Sequence, residues 1–328
     1  MLGATVFALV AAPILAPVLV ALDLVRGRWR LPMLRVYAFT LQYLVNDSVE
    51  IVLAPVYWLW AGLGRRLYSP QSLARHERLM YWSVALLEKR ARQLLGLSLE
   101  VTGRDLEGLK PGPVIVISRH TSVFDSSLPG LLYQRIGFRI RGVIMAELLA
   151  DPGFDLIYGR LGSVFIPRDD GERARAAIET LAQRVDERTA ILLFPEGRLF
   201  TPSVRDRSLE RLAQRDPDRA AALQSLHYLL PPRPGGFTAL LERLPEADVV
   251  VIDHRGLDGI SPPRLIHRAP LDRTITVTID RVPRAEIDAA PSPTHWLDDQ
   301  WLRLDRQLAA DSSNRQTLSR RRPLPAEL

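Results

Sequence analysis

The sequence predicts an α/β fold: a mixed central sheet flanked by helices, with an N-terminal membrane-anchoring helical segment ahead of it. Three observations carry this. Short β-branched apolar runs alternate with amphipathic helical stretches, the pattern of a layered sheet-and-helix domain. Two polar strings, ISRHTSVFD and LLFPEGR, each begin inside such a run and continue past its end, so both can be carried to one edge of one sheet. Ahead of them lies an apolar, uncharged stretch long enough for a bilayer.

That stretch, Leu2 to Leu22, holds Thr5 as its one polar side chain and matches the roughly 20 residues of a transmembrane helix. Pro13 and Pro17 kink such a helix without forbidding insertion. No basic segment precedes it, which argues for a retained anchor over a cleaved leader. Arg26, Arg28, Arg30 and Arg35 follow and are expected on the cytoplasmic side. A second apolar stretch, Val36 to Leu63, is interrupted by Asn46, Asp47 and Glu50. One central acidic residue costs about 2.5 to 3.5 kcal/mol on insertion, so this segment is expected to lie in the interface, with Tyr57, Trp58 and Trp60 at headgroup depth. Residues 1–66 are thus read as anchor and interfacial helix.

Residues 67–310 read as the α/β domain. Ser72 to Leu95 is an amphipathic helix stopped by Gly96. Strands are expected at Leu99 to Thr102, Val114 to Ser118, Ile140 to Met145, Val164 to Ile166, Ala190 to Phe194, Val249 to Asp253 and Thr274 to Ile279. Gly171 to Asp186 is a helix, and Arg205 to Leu226 a charged helical insertion. The prolines and glycines of LPPRPGGF read as loop. Residues 311–328 are expected to form a flexible tail.

Composition narrows the chemistry. The chain has no cysteine, so disulfides, thiolate metal sites and a cysteine acyl-enzyme are excluded. The net charge is +6, and Lys89 and Lys110 are the only lysines. A basic balance suits nucleic acid, an anionic membrane or a phosphorylated substrate, but the basic stretches lack aromatic ladders and zinc-finger spacing, so nucleic acid is not expected.

His120 and Asp125 lie five residues apart, roughly 140° around a continuous helix, and cannot cooperate there. With His120 at the end of a strand and Asp125 opening the next helix, the turn returns the carboxylate to the imidazole. Such a pair can take a proton from a hydroxyl. Ser118, Ser122, Ser126 and Ser127 are nearby, but none sits in a GxSxG elbow, so the hydroxyl is expected to be the substrate's own. Arg168, in GSVFIPR, is placed to hold a phosphate. Glu196, Gly197 and Arg198 end a buried strand, where ligands sit in open sheets; Glu196 is expected to bond a hydroxyl or to orient Arg168.

These blocks, HTSVFD, GSVFIPR and FPEGRLF in that order, resemble the glycerolipid acyltransferases typified by 1-acylglycerol-3-phosphate acyltransferase. The long insertion after the third block, PRPGGF and the late WLDDQWLRLD resemble the branch with lysophosphatidate and lysocardiolipin acyltransferases. The resemblance implies His120 as general base, Asp125 as its orienting partner, Arg168 as phosphate ligand, and Glu196, Gly197 and Arg198 at the acceptor site. It implies acyl-CoA or acyl carrier protein as donor, a lysophospholipid acceptor, a bilayer as partner, and a catalytic domain on the cytoplasmic face of the inner membrane, with no metal and no cofactor. The family's asparagine before the histidine is Arg119 here, and its threonine and arginine in the third block are Arg198 and Leu199. Open alternatives are a larger-headgroup lysophospholipid or a glycolipid acceptor, a thioesterase, and an inactive membrane-associated binding protein.

Overall fold

A computed structural model of the chain describes residues 1–103, 112–122, 124–150, 153, 155–167, 170–258 and 271–320. Seven strands form one sheet in the order β1-β7-β6-β2-β5-β3-β4. They are β1 (Ser98–Gly103), β2 (Val114–Ser118), β3 (Arg139–Met145), β4 (Val164–Ile166), β5 (Thr189–Leu193), β6 (Asp248–Arg255) and β7 (Thr274–Val282). Strands β6, β2, β5, β3 and β4 pair in parallel, and β7 joins β6 antiparallel, so the sheet is mixed as expected.

Residues of alternating parity on the central strands face opposite layers, as the two-residue strand period requires. Ile115, Ile117, Ile191, Leu193, Val249 and Val251 meet α5 (Gly171–Ala182), α8 (Pro234–Arg243), α9 (Arg284–Asp288) and α10 (Pro293–Arg320) through Ile178, Phe237, Ile287, Trp296 and Trp301. Val114, Val116, Ala190, Leu192, Val250 and Ile252 meet the other layer, where α4 (Leu128–Arg135) supplies Leu128, Leu132 and Tyr133. Ile115 is completely buried, and Ile115→Ala is expected to cost about 2 to 5 kcal/mol, the usual range for truncating a buried isoleucine.

Three expectations need correction. LPPRPGGF is loop only to Arg233; α8 starts at Pro234, because proline at the first helical position lacks only an N–H that would be orphaned there anyway. Gly236 is needed for packing, since a Cβ there would meet Ile178 Cδ1 at 3.2 Å. The charged insertion is two helices, α6 (Pro202–Ala213) and α7 (Pro217–Leu223), each opened by a capping residue and a proline: Thr201 accepts from Val204 N–H and Asp216 from Arg219 N–H. The tail expected from residue 311 begins as helix, since α10 continues to Arg320; residues 321–328 lie outside the described ones.

The amino-terminal segment forms an antiparallel hairpin of α1 (Leu2–Val25) and α2 (Pro32–Trp60). At the turn, Asp23 Oδ2 accepts the Met33 and Leu34 N–H groups at 2.9 and 3.3 Å, capping α2 from outside its own sequence. At the far end, Thr5 Oγ1 lies 2.7 Å from Ser48 Oγ and donates to the Leu44 carbonyl. The polar residues that interrupt the second stretch point inward. Asn46 Nδ2 donates to Ser83 Oγ at 2.6 Å, and Ser83 Oγ donates to Glu50 Oε1. They lock α2 onto α3 (Pro70–Arg90), so the acidic residue is satisfied by protein.

Further contacts tie the hairpin to the domain. Arg35 Nε donates to the Leu94 carbonyl at 2.6 Å, and its Nη1 lies 3.0 Å from Asp272. Gly96, at φ +67°, ends the single π-helical turn Ala91–Leu95 after α3, and a Cβ there would collide with Asp272. Val36, Phe39 and Leu95 form a small apolar cluster against Phe124, which places the hairpin against the loop that carries His120.

Candidate active site

Strands β2 and β5 are adjacent and parallel, with Val114 opposite Ala190. Their carboxyl ends therefore open on one edge, and HTSVFD and FPEGR emerge side by side. Phe200 N–H donates to the His120 carbonyl at 2.8 Å, joining the two loops directly. The expected juxtaposition is present.

The chain leaves β2 after Ser118, and Asp125 opens a 3-10 turn, Asp125–Ser127, that leads into α4. His120 Nδ1 lies 2.8 Å from Asp125 Oδ1. The other carboxylate oxygen accepts the backbone N–H groups of Thr121 at 2.7 Å and Ser122 at 2.9 Å. The loop thus wraps its own carboxylate, with Asp125 fully buried and the His120 side chain 21% exposed. Burial alone would raise the Asp125 pKa; hydrogen bonds from His120 and His254 outweigh it and hold the carboxyl far below the ordinary carboxylate range. An anionic Asp125 puts the proton on His120 Nδ1 and leaves Nε2 as the free base. The imidazole stacks on Phe194 with centroids 4.4 Å apart and planes at 27°. That contact fixes the ring plane.

The third block makes a tight turn. Gly197 N–H donates to the Phe194 carbonyl at 2.9 Å, and Gly197 has φ +63°, a left-handed conformation that glycine adopts without a Cβ penalty. Glu196 points inward beneath the site and is 2% exposed. Among the described residues neither carboxyl oxygen has a hydrogen-bond partner. Burial pushes its pKa well above the usual glutamate value, against the pull of Arg119 and of the Trp301 indole N–H, itself without a formed hydrogen bond. Arg198 is half-buried, and its Nε has no partner among the described residues. Arg168, the expected phosphate ligand, lies outside the described residues.

Three polar neighbours of the site were given no role by the sequence reading: Asp253, His254 and Asp258. Arg119, where the resembled family has asparagine, is 1% exposed and bound by Asp253 Oδ1 at 2.9 Å, Asp258 Oδ1 at 2.7 Å and the His254 carbonyl. Burial would lower its pKa, but the two carboxylates raise it above the ordinary arginine value. The imidazole of His254 is completely buried, its Nε2 3.5 Å from Asp125 Oδ2. The signal was present in the sequence: Asp253 and His254 end a β-branched run just as His120 and Glu196 follow theirs.

Residues 100–252 match the family model described as Acyltransferase. Lysocardiolipin acyltransferase 1 of Danio rerio is 30% identical over 171 residues, covering 50% of this chain and 40% of that protein. The chain therefore spans two fifths of that relative's length. Among solved structures, the 1-acyl-sn-glycerophosphate (LPA) acyltransferase PlsC of Thermotoga maritima is similar at 18% identity and a TM-score of 0.46, covering 84% of this chain and 98% of that one.

Proposed function

We propose, from the match of residues 100–252 to the acyltransferase family model and from the site's geometry, that the protein moves a fatty acyl group from an acyl thioester to the free glycerol hydroxyl of lysophosphatidic acid. The observation that carries this reading is the 2.8 Å bond from His120 Nδ1 to the buried Asp125, which leaves the opposite ring nitrogen open at the carboxyl edge of the sheet. His120 Nε2 accepts the acceptor's hydroxyl proton while that oxygen bonds to the thioester carbonyl carbon. As the C–S bond breaks, the proton passes to the departing thiolate. Asp125 stabilises the imidazolium between these steps, and general-base catalysis of this kind is worth roughly 10²- to 10⁴-fold.

Arg168 and Arg198, with the backbone at Gly197, are proposed as the phosphate-binding groups. Glu196 lies buried next to this turn. With Leu199 in the position where the resembled family carries arginine, head-group selection rests on these residues. Acyl-CoA and acyl carrier protein both supply the required thioester.

We infer further that the hairpin holds the enzyme on a bilayer. Helix α1 is 24 residues long, uncharged from Leu2 to Leu22, and exposes Val6, Phe7, Val10 and Ile14, while α2 turns its polar residues onto α3. The hairpin therefore enters the membrane as one unit, α1 outermost, with Trp58 and Trp60 exposed at one end and Trp29 near Arg26, Arg28 and Arg30 at the other. Arg30 and Arg35, at the turn of the hairpin, pair with Asp272 of the α/β domain, so a cytoplasmic turn carries the catalytic domain with it, the hairpin entering that leaflet without crossing it.

The test is purified protein in detergent, given one acyl-CoA and a panel of lysolipids and glycolipids, with products identified by mass. Acyl transfer highest with lysophosphatidic acid supports the reading. Transfer to another acceptor replaces the substrate, and thioester consumption independent of any acceptor replaces acyl transfer with hydrolysis.

A further inference from the structure

Asp125 is held on two sides. His120 occupies Oδ1, while Oδ2 faces the Thr121 and Ser122 N–H groups and, from the neighbouring strand β6, His254 Nε2 at 3.5 Å. The same Nε2 lies 3.4 Å from the Arg119 carbonyl. Both neighbours are acceptors, so Nε2 must carry the hydrogen. The geometry of His254 is over-determined: its carbonyl receives the Arg119 guanidinium, which Asp253 and Asp258 clamp in turn. Strand β6 pairs with β2 through Ile252 and Ser118, immediately before the residues in question. His254 is completely buried and cannot touch a substrate.

We propose that His254 is a positioning residue of the catalytic pair: its Nε2–H braces the Asp125 carboxylate from the side opposite His120 and keeps Oδ1 aimed at His120 Nδ1. The loop's own N–H groups approach Oδ2 from the chain that carries His120. Among the described residues, His254 is what fixes the carboxylate to a different strand, so that loop and carboxylate do not drift together. This inference rests on His120 acting as the base.

The experiment compares wild type, His254→Leu, His254→Gln and His120→Ala for kcat and for KM of donor and acceptor, with thermal melting to quantify folded protein. A side chain of glutamine returns an N–H donor; leucine does not. Loss of the brace is expected to lower kcat roughly ten- to hundred-fold, the scale of a catalytic group displaced by about an ångström, with both KM values unchanged and glutamine restoring most of the loss. A folded leucine variant with wild-type kcat overturns the proposal. So do leucine and glutamine variants that fall equally, which would mark a packing role. If leucine prevents folding, His254→Met takes its place and is read against glutamine in the same way. Should His120→Ala stay active, the base itself is misassigned; should it be inactive while His254→Leu is unimpaired, only the brace is wrong.

Discussion

Two buried polar clusters in this molecule look alike on paper and differ in what they leave open. Around Asn46, Glu50 and Ser83, the side chains all face inward between two helices and all are at most 5% exposed. Around Asp125, a carboxylate equally deep in the protein is surrounded by donors, yet its partner His120 reaches the surface. The helix cluster is a lock: the Ser83 hydroxyl joins the Asn46 amide N–H to the Glu50 carboxylate, which sets the register of α2 on α3. Under the proposed function, the strand-end cluster orients a base. What separates the two clusters is one ring edge that is open to solvent, since both contain a buried acid.

The two clusters should therefore respond to mutation in opposite currencies. Asp125→Asn is expected to have the largest effect on rate. Because Oδ2 must keep accepting Thr121 and Ser122 N–H, the amide nitrogen would face His120 and force the wrong tautomer; kcat should fall by roughly 10²- to 10⁴-fold while the melting temperature changes little. Steady-state kinetics beside thermal melts check this, and a variant that melts early but keeps its rate when folded would make Asp125 structural. Arg119→Met should instead strike stability, by about 3 kcal/mol, because it removes the cation that Asp253 and Asp258 share and leaves Asp253 with Arg255 alone; denaturant unfolding reads it.

Ser83→Ala is the matching probe in the helix lock. Removing the hydroxyl that Asn46 and Glu50 share is expected to cost about 1 to 3 kcal/mol, with the rate per folded molecule unchanged. A large loss of rate without loss of stability would break the comparison, because it would make the helix cluster catalytic.

Glu196→Gln gives the smallest and most diagnostic effect. The folded-state pKa of Glu196 is raised above its ordinary value of 4.5. The folded protein therefore keeps a proton that the unfolded chain releases, and wild-type stability falls as pH rises from that ordinary value toward the folded one. Glutamine cannot titrate. The variant should melt like wild type at pH values below about 4 and at progressively higher temperature than wild type as the pH rises; a difference that stays flat with pH would contradict a buried carboxyl that keeps its proton.

Much of this was legible beforehand because it depends on local pattern. The β-branched runs located every strand to within three residues at each end, and the break from β2 to His120 predicted the return of Asp125. What stayed hidden depends on partners distant in sequence. Asn46, Asp47 and Glu50 read as an obstacle to membrane insertion because nothing local reveals Ser83 facing them, 37 positions from Asn46. PGGF read as loop because glycine and proline carry a strong local bias, while the close contact of Gly236 with Ile178 is tertiary. His254 was missed for a related reason: its meaning comes from β6 lying beside β2, an adjacency that only the sheet order supplies.

The central claim is that the open nitrogen of His120 takes the acceptor's proton. Its most direct test is the mass of product formed from acyl-CoA and lysophosphatidic acid by wild type and by folded His120→Ala, each with and without acceptor. The account predicts acceptor-dependent phosphatidic acid from wild type and a loss of at least about 10²-fold in the variant. Equal product from both proteins would contradict it.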